Sequence, residues 1–341
     1  MQVQQNFSLK KYNTFGIDAV AKYFSIFSSV DELENILSFI AKEQISSNKQ
    51  FILGGGSNVL FIKNYDGLVL KNNIGGIHTI HEDEDHIYVK AGAGENWHKF
   101  VMHCIKNNFA GVENLSLIPG NIGASPMQNI GAYGAEIKDV FHSLEAFHLK
   151  EKRIINFSTN DCGFGYRESV FKKKYKDQFV ILNVTYRLNK KPQYNISYGA
   201  IKEELKKLNI RELNIKAISQ AVINIRKSKL PDPKVIGNAG SFFKNPEITK
   251  DEFVVLEAQF ENLQTYPLDN GNVKLSAAWL IEQCGWKGFR RGDAGCYEKQ
   301  PLVLVNYDNA SGKEIYDLSE EIKQSVKEKF DVELEREVNI I

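Results

Sequence analysis

The chain has 341 residues, more than one hydrophobic core usually supports, so more than one domain is expected. Hydrophobic residues make up 43% and charged residues 25%, ordinary globular values that exclude a disordered or fibrous protein. A net charge of +1, with basic and acidic residues interleaved, excludes a nucleic-acid stripe or a polybasic membrane patch and points to small-molecule partners. In chain order, residues 1–11 lack the apolar stretch of a signal peptide, and no segment reaches the roughly 18 apolar residues of a membrane span, so a cytoplasmic protein is expected. Ser29 and Glu32 form a capping box before Leu33, Ile36, Leu37 and Ile40 at helical spacing. A second amphipathic helix runs through Trp97, Phe100, Val101, Cys104 and Ile105, and strands are expected at 51–53, 59–62, 67–71 and 86–91. Between His81 and His86 the acidic run reads as a solvated hairpin turn rather than a ligand cluster. Further strands follow near 144–149, 152–157 and 179–188, then a lysine-rich stretch ending in a helix from Ile215 to Lys227. Pro231 and Pro233 cannot continue that helix and mark a domain boundary at 230–233. Beyond it come helices near 275–284 and 311–329, the latter capped by Ser311 and Glu314, with a buried strand at 302–306 between them.

Two glycine-rich segments carry the first functional signal. From Ile118 to Gly134 four glycines, two alanines and two copies of Asn-Ile-Gly-Ala fall in seventeen residues. Such a segment lets backbone approach a ligand and turn N–H groups toward an anion such as a pyrophosphate; the alternative is an ordinary surface loop. Gly54, Gly55, Gly56, Ser57 and Asn58 lie between two apolar runs, a strand, turn, strand pattern. A dinucleotide-binding βαβ unit would follow its glycines with a helix, which disfavours a Rossmann fold, and no P-loop motif is present. Cys104, Cys162, Cys284 and Cys296 are widely spaced, which suggests neither zinc nor disulfides but reduced, buried thiols, and His98 and His103 are five apart and on different helix faces.

Three clusters stand out further along. Arg167 follows a glycine-aromatic turn, where its fork suits a carboxylate clamp or, alternatively, a surface salt bridge. Ser241 lies between small residues and Phe242 and Phe243, a setting for a hydroxyl in a dry site, or for a turn serine. Near the end Glu335 and Glu337 share one face of an expected terminal strand and Arg336 takes the other. With only four residues after Glu337, that strand is expected to have little to anchor it.

Together these clusters, with Asn13 to Gly16, Gly92 to Trp97, Gly165 to Arg167, Lys229 to Pro233, Gly240 to Pro246 and Leu334 to Val338, resemble the UDP-N-acetylenolpyruvoylglucosamine reductase family in order and over nearly the whole chain. The resemblance implies an α+β fold: a two-subdomain FAD-binding region of the vanillyl-alcohol-oxidase-like type, then an α+β substrate-binding domain. It divides the chain at 1–72 and 73–228 for FAD, 229–329 for substrate, and 330–341 as a terminal strand returning the catalytic glutamate toward the flavin. FAD is implied as a noncovalent cofactor, with no histidine or cysteine beside the flavin motifs, NADPH as co-substrate and no metal. The cofactor residues implied are Gly54, Gly55, Gly56, Ser57, Asn58, Gly120, Asn121, Gly123, Ala124, Gln128, Asn129, Gly131, Ala132 and Tyr166.

By the same resemblance Tyr198 belongs to the tyrosine loop of the longer, type I members, and Lys229, Asn245, Lys287 and Gln300 hold the UDP-linked amino sugar. Arg167 and Glu337 would stabilise an enolate of the enolpyruvyl group, and Ser241 would protonate it. Where many members have a histidine just before Gln300, this chain has Lys299. A monomer is expected. Two rivals remain: another FAD oxidoreductase on the same flavin fold, and a non-catalytic nucleotide-sugar binder.

Overall fold

The computed structural model describes residues 3–43 and 49–341, and the chain is a mixture of helices and mostly antiparallel sheets, as an α+β protein requires. It divides into two compact units. One comprises Met1–Phe7, Ala21–Gly56 and Asp66–Ser228, the other Ser8–Val20, Ser57–Tyr65 and Lys229–Ile341. The Gly54 to Asn58 turn is thus where the chain leaves one unit for the other, and the second unit draws in two short segments from the first 65 residues as well as the C-terminal region.

In the first unit, strands Val20–Phe27, Tyr65–Asn72 and Gln50–Leu53 form a sheet with Gln4–Ser8 at its edge. Strand Gln50–Leu53 runs parallel to Tyr65–Asn72, with Leu53 opposite Lys71. Helix Val30–Lys42 buries Leu33, Ile36 and Ile40 into a cluster with Phe27, Leu68, Leu70 and Leu182, each such side chain contributing about 1.5–3 kcal/mol. Ser29 caps it by accepting from Glu32 N, but the Glu32 carboxylate reaches back to Ser28 N rather than closing the expected box. A second, antiparallel sheet runs Arg153–Ser158, Phe141–His148, Phe179–Asn189, His86–Gly92, Ile77–Glu82. Helix Trp97–Lys106 lays its predicted apolar face on this sheet's cluster, around Trp97, Phe100 and Tyr186.

The acidic run is the expected hairpin turn: Asp83 Oδ1 accepts from His86 N at 2.8 Å and Asp85 N at 3.0 Å, and Tyr88 OH donates to Oδ2. Within the lysine-rich stretch a helix, Gly199–Lys207, packs Ile201 and Leu205 on Ile218, Val222 and Ile225 of helix Ile215–Lys229. All four cysteines are free; Cys104, Cys162 and Cys296 are buried, and burial pushes the thiols of Cys162 and Cys296 up to about 12, so both are inert at neutral pH.

The second unit pairs Gly237–Asn238, Leu304–Asn306, Ala294–Cys296 and Arg290–Arg291 in one sheet and Glu247–Ile248, Val273–Leu275 and Thr265–Pro267 in another. Helix Gly312–Phe330 covers it with Ile315, Leu318, Ile322, Val326 and Phe330, and its capping box at Ser311 and Glu314 is fully formed. The expected terminal strand at 334–338 is reduced to one bridge, between Arg336 and Phe243. Arg336 is instead held from the side, donating to Ser319 Oγ at 2.9 Å and stacking its guanidinium over Tyr316. Beyond it Asn339–Ile340 forms a parallel pair with Val59–Leu60, so the end of the chain is anchored after all. Among the described residues no helix is long and apolar enough to cross a membrane.

Candidate active site

The strand that ends at Leu53 delivers the first glycine turn, and strand Val59–Leu60 follows it, which bears out the strand, turn, strand reading. Gly55 sits where two loops of the first unit meet. A Cβ there would lie 2.8 Å from both Gly120 Cα and Asn121 Oδ1, so only glycine fits. Beneath the turn, Lys71 Nζ donates to Gly54 O at 2.8 Å.

The longer loop differs from expectation. The N–H groups of Ile122, Gly123, Ala124 and Ser125 donate to Glu95, Ala93, Asn121 and Ile122 carbonyls, and those of Asn129 and Ile130 to Pro126 and Ser125. These six donors are spent inside the fold, because a buried loop segment must satisfy its own backbone first. Its small residues instead permit packing: a Cβ on Gly123 would stand 2.8 Å from Ala93 Cβ. The Asn129 side chain, fully buried, donates to Gly165 O and Glu136 Oε2 and accepts from Lys138 N, tying three segments together. Asn121 Nδ2 likewise donates to Gly94 O. Ala124 is exposed, Gln128 half-buried, and Gly131 and Ala132 form a short strand paired with Ala135–Glu136.

Arg167 is carried on that strand's flank. Its side chain is 18% exposed, donates from a terminal nitrogen to Gly131 O at 2.6 Å, lies 3.8 Å from Glu136 and stacks over Tyr166. The guanidinium is thus half-enclosed and ion-paired with Glu136, and Gly131 lets it approach, since a Cβ there would stand 2.9 Å from it. Tyr198 caps helix Gly199–Lys207 at the surface and meets the ring of Tyr133 edge-on at 5.2 Å. Burial pushes the Tyr133 hydroxyl up, while the positive charge of Arg226, and then its hydrogen bond, counter it. Neither Tyr133 nor Arg226 was a sequence candidate; an arginine three residues before Lys229 on a helix face otherwise rich in apolar residues was the available signal.

In the second unit the Ser241 segment pairs with the C-terminal segment. Glu337 N donates to Phe242 O at 2.9 Å, Lys244 N to Glu335 O at 2.9 Å, and Asn58 Nδ2 to Glu337 O at 3.2 Å. Glu337 therefore stands beside Ser241 and Asn58. The expected enclosure of Ser241 is not found: Phe242 and Phe243 turn fully into the core, and Ser241 is left exposed. Lys244 pairs with Glu335 at 2.6 Å. Asn245 Oδ1 accepts from Ala277 N, at the start of helix Ala277–Gln283, while Lys287 pairs with Glu282 at 2.7 Å on the surface. Gln300 Oε1 accepts a long bond from Leu302 N, and Lys229 ends its helix exposed. Among the described residues no cluster of histidine, cysteine or carboxylate side chains is set to hold a metal.

A bare-backbone turn with a cation beneath it fits the diphosphate of FAD, and the Gly55 N–H has no partner among the described residues. Residues 21–155 match the family model described as FAD binding domain, and residues 232–341 match that described as UDP-N-acetylenolpyruvoylglucosamine reductase, C-terminal domain. The reductase of that name from Flavobacterium johnsoniae is 51% identical and that from Amoebophilus asiaticus 50%, each aligned over 100% of both chains. The crystal structure of the Thermus caldophilus UDP-N-acetylenolpyruvylglucosamine reductase, 23% identical, shares the fold with a TM-score of 0.68 over 100% of this chain and 99% of that one. With identity at this level over the full length of both chains, the chain belongs to the UDP-N-acetylenolpyruvoylglucosamine reductase family.

Proposed function

We propose that this chain reduces the enolpyruvyl group of UDP-N-acetyl-3-O-(1-carboxyvinyl)-glucosamine to the lactyl ether of UDP-N-acetylmuramate, using NADPH, in peptidoglycan precursor synthesis. Bound FAD would supply the hydride-transfer chemistry that links NADPH to the outer carbon of the double bond. Negative charge then develops at the neighbouring carbon and its carboxylate. Arg167 supplies a fixed cation for that carboxylate, and Glu337, in its protonated form, a hydrogen bond to the enolate. Ser241 gives its proton to the carbon that bore the charge, a step open to a weak acid only beside so basic a centre and only when held close.

The observation that carries this reading is the backbone pairing of Glu337 with Phe242, which makes Ser241 and Glu337 neighbours although 96 positions separate them (337 − 241). Lys229, Asn245, Lys287 and Gln300 are assigned to the nucleotide, with Tyr198 closing over it; Lys287 would exchange Glu282 for a phosphate on binding. The two glycine segments and Tyr166 are assigned to FAD, with a division at 72/73 into two flavin subdomains, in a monomer of the cytoplasm.

The purified protein should be yellow, and denaturation should release the colour into the supernatant. Colour that stays with the precipitate would show a covalent link, and a colourless protein that takes up no FAD would favour the nucleotide-sugar binder.

A further inference from the structure

Lys71 ends a run of buried residues, Leu68, Val69 and Leu70, at the strand position opposite Leu53, where the first glycine turn begins. Its ammonium donates to two carbonyl oxygens, Gly54 O at 2.8 Å and Asn72 O at 3.1 Å, and among the described residues no carboxylate pairs with it. Asn72 is itself fixed, donating to Ile181 O at 2.8 Å, so the anchor below the lysine is rigid. A half-buried cation without a counter-charge costs stability, and a Leu or Met at this place in an apolar strand would avoid that cost. Burial accordingly pushes the Lys71 pKa down. The cost is explained if the charge is needed when a ligand is present.

The geometry points to Lys71 as a positioning residue for the FAD diphosphate: it pins the Gly54 carbonyl and leaves its positive charge under the turn. The peptide joining Gly54 to Gly55 is trans and planar, so holding the carbonyl toward Lys71 turns the Gly55 N–H to the opposite side. A glycine pair has almost no torsional preference of its own, and without the pin that plane is free to flip. Two of the three ammonium donors are engaged in the protein, leaving one. A diphosphate at the turn then meets an oriented N–H and supplies the missing counter-charge, which no neutral residue at position 71 would reward.

The proposal rests on the FAD reading above. Flavin-loaded wild type, Lys71→Met and Lys71→Arg are compared by equilibrium dialysis, reading free FAD by its fluorescence. Hydrogen exchange of the peptide spanning residues 51–60 is followed at saturating FAD. Lys71→Met should raise the FAD dissociation constant about 10- to 100-fold, the range for a hydrogen bond to a charged group, and speed exchange in that peptide alone. Lys71→Arg, which keeps a charged donor, should recover most of the affinity. Lys71→Met holding FAD within about twofold of wild type overturns the proposal and leaves the FAD reading intact. Should Lys71→Met fail to fold, Lys71→Arg decides: affinity near wild type supports the pin, and affinity lost by tenfold or more in a folded protein overturns it. A wild-type chain that binds no FAD overturns both.

Discussion

In the proposed mechanism Ser241 and Glu337 divide the labour of the reaction between them, and each assignment is testable alone. Both are assigned to the enolpyruvyl nucleotide, whereas NADPH needs only access to the flavin. Ser241→Ala should therefore let NADPH bleach the flavin band at close to the normal rate in stopped flow. Recovery of the band on adding the enolpyruvyl nucleotide should slow by roughly 10²–10⁴-fold, the usual effect of losing a positioned general acid. Glu337→Gln should show the same asymmetry; equal slowing of both phases would return Ser241 to the role of a turn serine. A second prediction concerns Asp83. Backbone N–H bonds from His86 and Asp85, with Tyr88 OH, hold its carboxyl at about 2, below its ordinary 3.8. A carboxyl with a depressed folded pKa stabilises fully above the unfolded value and ceases to do so as pH falls through the folded one. The melting temperature of Asp83→Asn should thus lie below wild type at pH ~7, and the gap should close between about pH 4 and pH 2. A gap that stays constant would show that the carboxylate charge is irrelevant to the turn. At this scale sequence was a partial guide. Arg167, Ser241 and Glu337 stand out by their unusual settings, but the partners that place them, Gly131, Phe242 and Asn58, become evident only once distant segments pair.

Among the elements, the short C-terminal strand carries more than its length suggests. Asn339 N donates to Asn58 O, Ile341 N to Leu60 O and Ile62 N to Ile341 O, and the Asn339 side chain adds a bond to Asn58 O. These bonds hold the segment on which Glu337 rides. Deleting Asn339–Ile341 should cost roughly 2–4 kcal/mol at about 1 kcal/mol for each net hydrogen bond, visible as a lower unfolding midpoint. Turnover should fall by at least about 10²-fold from loss of orientation, with FAD still bound. Unchanged turnover would mean Glu337 is placed without the strand. Helices with a clean apolar stripe, such as Val30–Lys42 and Gly312–Phe330, were legible from spacing alone. Lys250–Gln259 was not, because it buries only Leu256 while Val254 and Val255 face solvent, and only the Thr249 and Glu252 cap marks its start. Gly199–Lys207 was hidden because its two buried residues sit among lysines and glutamates. The terminal strand was displaced from 334–338 to Asn339–Ile340 because parallel pairing with Val59–Leu60 is a long-range choice that no local pattern encodes.

For the whole molecule, composition and order did most of the work that local pattern could not. The near-neutral charge pointed to small molecules, and the change of unit at Ser228 and Lys229 falls beside the Pro231 and Pro233 break. Chain order alone, however, could not show that Ser8–Val20 and Ser57–Tyr65 cluster with residues more than 160 positions away (229 − 65 = 164), since such recruitment leaves no mark in composition. The central claim is that this molecule is a reductase whose oxidation of NADPH is committed to one acceptor. The decisive measurement is the loss of NADPH absorbance by the purified, FAD-loaded protein, with and without UDP-N-acetyl-3-O-(1-carboxyvinyl)-glucosamine. The account predicts rapid, stoichiometric loss only when the enolpyruvyl nucleotide is present, with UDP-N-acetylmuramate as the product. NADPH consumption that is equally fast without it, or none with it, would contradict the account.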